Sequence, residues 1–169
     1  MASTSADPTE TNTPAEEAAQ AATTESYPKP GGHIGLALPL LTVGDEVQVI
    51  GRDYSTIGLA PGITVKLDPH WAVDFEFVAY SNFHKNGNFT SIVIDPGVVY
   101  NFGPLAAGLR AAMHVGGGQT QNFGLIPIVV KAFPLGSGKV SAFVELDLPV
   151  FFNQDGAALT VQPQAGFAF

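Results

Sequence analysis

The sequence predicts an all-β fold: an eight-stranded antiparallel up-and-down barrel that crosses a membrane, preceded by a disordered amino-terminal tail. Three observations carry this reading. First, the chain repeats one segment, a proline followed six positions later by a large apolar residue: Pro61 to Leu67, Pro96 to Phe102, Pro127 to Phe133 and Pro163 to Phe169. Second, residues between these points alternate, as in Ile63, Val65, Leu67 and Ala165, Phe167, Phe169. Period two marks a strand with two unlike faces. Third, hydrophobic residues make up 46% of the 169 and charged residues only 13%, whereas a soluble domain carries about 25% charged residues. No run approaches the ~18 apolar residues of a membrane helix. Strands cross lipid only as closed barrels, because an open edge leaves backbone groups unpaired.

Each strand is justified by its own alternation. The first, near His33 to Leu41, sets Ile34, Leu36, Leu38 and Leu40 on one face. The second is Thr56 to Leu67, ending at the turn Asp68-Pro69-His70. The third, Trp71 to Ser81, sets Trp71, Val73, Phe75 and Phe77 against Ala72, Asp74, Glu76 and Val78. The fourth is Phe89 to Phe102, turning at Gly103-Pro104 into the fifth, Leu105 to Val115, which sets Leu105, Leu109 and Met113 against Arg110 and His114. The sixth is Phe123 to Phe133, with a turn through Pro134 to Gly138. The seventh, Lys139 to Phe152, sets Val144, Leu146 and Leu148 against Glu145 and Asp147, and the eighth is Ala157 to Phe169. A tilted membrane strand needs about 9–11 residues, longer than the ~5–6 of a soluble strand.

The connections alternate in kind. Tight Pro/Gly turns join strands two–three, four–five and six–seven, while Thr42 to Ser55, Asn82 to Asn88, Gly116 to Asn122 and Asn153 to Gly156 are more polar. Short turns at one end and longer loops at the other are the asymmetry of transmembrane barrels. Residues 1–32 form a separate unit rich in Ala, Thr, Glu and Pro, with no aromatic before Tyr27. Such a segment buries too little apolar area to offset the entropy of ordering. The barrel is expected over 33–169. An even strand number puts both of its ends on one side of the membrane, leaving the tail there as a tether.

These residues resemble the small outer-membrane β-barrel family, the group that includes the membrane domain of OmpA. The likeness rests on Phe167-x-Phe169, on Asp95-Pro96-Gly97-Val98-x-Tyr100-x-Phe102 and on the strand count. It implies a bacterial outer membrane, a lipid bilayer as surroundings, and a terminal strand read by the barrel-assembly machinery. Met1 is followed by neither a basic start nor an apolar run, so this location requires a signal peptide already removed. Prolines at 39, 61, 96, 127, 149 and 163 lie within strands, where proline cannot donate to the ladder; bulges beside them would absorb the mismatch.

If the apolar faces meet lipid, the other faces fill the lumen. Lys66, Asp74, Glu76, Asp95, Arg110, His114, Glu145 and Asp147 are the inward candidates. Buried charges need partners, and Arg110 suits the centre because its planar fork serves two carboxylates. Lys131 shares the lipid-facing parity and would snorkel to the interface. Trp71, Tyr100, Phe102, Phe133, Phe167 and Phe169 cluster near the tight turns as an interface girdle.

Chemistry is weakly signalled. The four histidines show no metal-ligand spacing, there is no cysteine, and Gly116-Gly117-Gly118 lacks the lysine of a phosphate loop. Ser81, His84 and Ser91 could imitate the outer-wall site of lipid-modifying barrels, but no acid accompanies them on the lipid face. No cofactor is expected. A net charge of −8 opposes nucleic-acid binding. The expected role is non-enzymatic, structural or surface-binding, in a monomer with a filled lumen. The alternatives are a narrow channel for ions or small solutes, and a soluble lipocalin-like barrel holding a small apolar ligand.

Overall fold

The structure, a computed structural model, describes residues 26–83, 89–115, 122–136, 138–153 and 156–169. Its strands are β1 (Lys29–Ala37), β2 (Leu41–Val43), β3 (Val47–Val49), β4 (Thr56–Lys66), β5 (Trp71–Asn82), β6 (Phe89–Asn101), β7 (Ala106–Val115), β8 (Phe123–Leu135), β9 (Val140–Asp147), β10 (Val150–Asn153) and β11 (Gly156–Ala168). All pairings between them are antiparallel neighbours in one sheet, and β1 pairs with β11 to close it. β1 and β2 are one wall interrupted at Leu38–Leu40, and β9 and β10 are another, interrupted at Leu148–Pro149. With β4, β5, β6, β7, β8 and β11 they make a closed eight-walled barrel.

Two features differ from the sequence expectation. β1 begins at Lys29, so residues 29–32 belong to the wall rather than to the tail, pairing Lys29 with Lys66 and Gly32 with Ile63. Without them the turn-end half of β4 would leave backbone groups unpaired against lipid. Residues 1–25 of the expected tail lie outside the described residues. The connection after the first wall is not a plain loop either. β2 pairs with β11 on one side and with β3 on the other, so the wall continues upward as a short hairpin. Arg52 Nη2 donates to Val47 O at 3.0 Å, and Val49 N donates to Asp53 Oδ2 at 2.8 Å. These bonds satisfy the outer edge of β3, which would otherwise offer itself to another chain.

The in-strand prolines are accommodated in two ways. At Pro39 there is a bulge: Ala37 pairs with Gln164 and Leu41 with Val161, so four steps on one wall face three on the other. At the repeated prolines the register holds and the ladder simply lapses. On β4–β5 it stops at Leu59–Ala79 and resumes at Gly62–Glu76; on β6–β7 it stops at Ile94–Met113 and resumes at Gly97–Arg110. Phe102 N donates to Leu105 O, and this phase puts Pro96 opposite Ala111 in a hydrogen-bonded pair that lacks its second donor. Leu148 N reaches Pro127 O, and Leu38 N reaches Pro163 O, with no reciprocal donor available. All four repeats therefore open the ladder at one level, on every second seam.

Side chains divide cleanly by parity. Ile34, Leu36, Leu59, Ile63, Val73, Phe75, Leu109, Leu125, Val129, Val144 and Leu146 are exposed on the outside. Buried residues include Ala37, Ala60, Val78, Val93, Ala112, Ile126 and Ile128, together with ten polar or charged ones. That inversion fits hydrocarbon as the surrounding solvent. It removes the soluble lipocalin-like alternative, whose apolar groups would line the interior. Trp71 and Phe83 lie twelve positions apart on one wall, which spans about 30 Å for a strand tilted about 40°.

Candidate functional site

The described residues concentrate their polar chemistry in the middle of the lumen. Even-numbered residues of β5, β7 and β11 and odd-numbered residues of β1, β6 and β9 point inward, which gathers His33, Asp74, Glu76, Asp95, Arg110, Glu145, Asp147, Gln162 and Gln164, all buried. Arg110 is the centre. Its Nε and Nη2 approach Asp74 Oδ2 at 2.9 and 2.7 Å, and its Nη1 approaches Glu76 Oε1 at 3.2 Å and Glu145 Oε1 at 2.8 Å. One guanidinium thus joins β5, β7 and β9.

The network extends to the opposite wall. His33 Nε2 lies 3.0 Å from Glu76 Oε2, and Gln164 Nε2 donates to the same oxygen at 2.8 Å. His33 Nδ1 lies 3.4 Å from Thr64 Oγ1, which itself donates to Asp74 Oδ1. Both ring nitrogens therefore face oxygens, an arrangement satisfied when both carry hydrogen. β1 and β7 are diametrically placed among the eight walls, so the chain His33–Glu76–Arg110 crosses the whole lumen. A second layer lies toward the loops: Tyr80 OH donates to Gln162 Oε1 at 2.7 Å, and Gln162 Nε2 donates to Asp147 Oδ2 at 3.0 Å.

Glycines make this packing possible. Gly97 pairs with Arg110 across β6–β7, and Gly62 pairs with His33 across β1–β4. A methyl group at Gly97 would strike the Arg110 side chain, and one at Gly62 the His33 ring.

The candidates from sequence separate into groups. Asp74, Glu76, Arg110 and Glu145 meet directly. Asp95 and Asp147 are each 1% exposed, and each keeps one carboxylate oxygen, Oδ1, without a partner. Five buried carboxylates thus face one guanidinium and one imidazole. Lys66 does not join them: it lies exposed at the tight-turn mouth. His114 does not join them either. It stands near the loop end of β7, its ring 4.3 Å from that of Phe151, lining a chamber of about 170 Å³. His33, Thr64, Tyr80, Gln162 and Gln164 were not singled out from sequence, although their inward parity was readable.

The belts are equally explicit. Trp71 meets Tyr100 edge-on at 4.9 Å, Tyr100 meets Phe102 at 4.7 Å, and His70 stacks on Tyr100 at 5.5 Å. Phe133, Phe167 and Phe169 are exposed near the same end. Lys131 faces outward with its Nζ 5.5 Å from the Phe133 ring centre. A second aromatic group, Phe83, Phe123 and Phe152, is exposed at the loop end. Ser91 is buried inside rather than on the lipid face, Ser81 is half-buried, and His84 lies outside the described residues. Among the described residues no three His, Asp or Glu side chains converge as metal ligands.

No known family profile matches the chain, and no curated protein matches it significantly. Similar solved structures include Ail, the attachment invasion locus protein of Yersinia pestis. It is 15% identical with a TM-score of 0.52, over 85% of this chain and 100% of that one. Ail in complex with the heparin analogue sucrose octasulfate is 17% identical with a TM-score of 0.51, over 83% of this chain and 97% of that one. At these identities the likeness is one of fold, and the shared fold is the closed eight-walled barrel.

Proposed function

We propose that this chain is a bacterial outer-membrane barrel with a non-enzymatic, structural or surface-binding role and a lumen closed by its own side chains. The observation that carries the proposal is the Arg110 layer. A guanidinium bonded to three carboxylates, and linked through Glu76 to His33 on the opposite wall, strings side chains across the lumen from wall to wall. An eight-stranded barrel is just wide enough for side chains to fill. Among the described residues outside this layer, no serine or threonine hydroxyl is paired with a histidine base.

The binding surface would be the loop end, carried by the β2–β3 hairpin and the connections beyond β5, β7 and β10. Ail's structure with a heparin analogue does not transfer as polyanion binding. The loop-end segments here carry Arg52 and Lys85 against Asp45, Glu46, Asp53 and Asp155, and Arg52 is paired with Asp53 at 2.8 Å. The surface suits a neutral or basic partner. Insertion by the barrel-assembly machinery through the terminal β11, and a monomer in the bilayer, complete the reading.

Planar-bilayer recording tests it. The refolded chain is expected to give a silent membrane. Regular conductance steps that change size on Arg110→Ala would support the ion-passage alternative instead.

A further inference from the structure

We propose that the acidic segment preceding β1, centred on Glu16, Glu17 and Glu25, docks into the vestibule at the tight-turn end of the barrel. Below the Arg110 layer the described residues leave the lumen open. Cavities of about 550 and 390 Å³ share Thr64, Lys66, Val130, Ala132 and Ser141 as lining and form one open space. Small side chains such as Ala132 and Ser141 leave it unfilled.

Its charge is basic. Lys66 borders both cavities, and Lys29 and Lys139 border the second, which no acidic side chain among the described residues lines. Lys29 and Lys66 are direct cross-strand partners. Lys29 also stands 5.7 Å over the Tyr27 ring, so the basic rim is continuous with the chain that leaves it. Asp68, the acid bordering the larger cavity, already accepts from the His70 and Trp71 backbone through Oδ1.

The preceding segment supplies the complement. Residues 1–28 hold five acids and no lysine or arginine, and they enter the fold at this mouth. Glu16 lies thirteen positions before Lys29, a reach of up to about 43 Å when extended, which is more than enough to double back into the vestibule. The Ala-rich run around Glu16 and Glu17 is slim enough to enter a narrow barrel.

The experiment uses the full chain folded in detergent micelles, with acetic anhydride as the amine probe and mass spectrometry to read Lys66 and Lys139. The comparison is a full-length Glu16→Gln/Glu17→Gln/Glu25→Gln variant whose gel mobility before boiling shows that it is folded. In the parent chain both lysines should acetylate about tenfold more slowly, the combined effect of a few weak screened ion pairs. The protection should vanish in the variant and in about 1 M salt. Equal rates, or protection that ignores the glutamates, would overturn the proposal. So would protection that rises with protein concentration, because the occupant would then be a second copy. Conductance does not enter this readout, so its failure is separate from failure of the closed-lumen reading.

Discussion

Replacing Arg110 by methionine isolates the central interaction of the lumen. The guanidinium holds Asp74, Glu76 and Glu145 at 2.7–3.2 Å. The acidic side chains are at most 5% exposed. Methionine roughly matches the stem but supplies no charge, leaving three buried carboxylates that repel one another. Removing one partner of a buried pair costs about 3–5 kcal/mol, and three acids losing the same cation at once place this case near the top of that range. About 4–5 kcal/mol lowers the folded-to-unfolded ratio by roughly a thousandfold or more. Reversible urea unfolding in lipid vesicles measures it, followed by the emission of the single tryptophan, Trp71, and by gel mobility without boiling. The partner experiment adds Asp74→Asn, Glu76→Gln and Glu145→Gln to Arg110→Met. Because the three neutralised acids no longer need a guanidinium, this quadruple variant should regain most of the loss. An Arg110→Met barrel within about 1 kcal/mol of the parent would refute the reasoning, as would a quadruple variant less stable than the single one.

Asp95→Asn should behave oppositely, because its Oδ1 lacks a partner and it stands directly across from Glu76. We expect unchanged or higher stability, by up to about 1 kcal/mol, read from the same urea midpoint; a loss of that size would contradict the assignment. Pro96→Val should restore the missing donor opposite Ala111, raise stability by about 1 kcal/mol, and protect the new amide from hydrogen exchange. An amide at position 96 that exchanges freely would show the seam stays open. At the turn, hydrogen bonds from the Trp71 and His70 backbone hold the Asp68 carboxyl below its usual range. A lowered value means its contribution is complete above the ordinary carboxylate pKa and fades as pH falls through the lowered one. The stability gap between the parent chain and Asp68→Ala should therefore shrink as pH falls from about 7 toward 2, and a gap indifferent to pH would count against the cap.

Much of the barrel was legible because lipid outside and polar groups inside give period two its sharpest contrast. β4 to β8 begin and end within about two residues of the segments read from alternation. Parity also put Asp74, Glu76, Arg110 and Glu145 on the inner face. It could not assign their heights, which depend on the stagger between walls. Lys66 and His114 share the inward parity yet stand at opposite ends of the lumen, so they were grouped with residues they never meet. His33 was overlooked because Pro30-Gly31-Gly32 reads as a break, whereas the chain is already paired from Lys29. Gly62 and Gly97 are informative only once the register shows His33 and Arg110 beside them. The β2–β3 hairpin was concealed by Asp45 and Glu46, although Leu41, Val43, Val47 and Val49 alternate around them. Bulges were expected at the prolines, but only Pro39 takes one. The repeated prolines instead forgo a single hydrogen bond and keep the register that both faces require.

The central claim is that the apolar faces of these walls lie in hydrocarbon, and its most direct measurement is a single-cysteine scan of β5. The native sequence has no cysteine to interfere. A fluorophore placed in turn at residues 72 to 80, in vesicles, is exposed to a quencher carried on lipid chains. Quenching should peak at Val73, Phe75, Phe77 and Ala79 and fall at Ala72, Asp74, Glu76, Val78 and Tyr80. A flat profile, or one with its peaks at the even positions, would contradict the account.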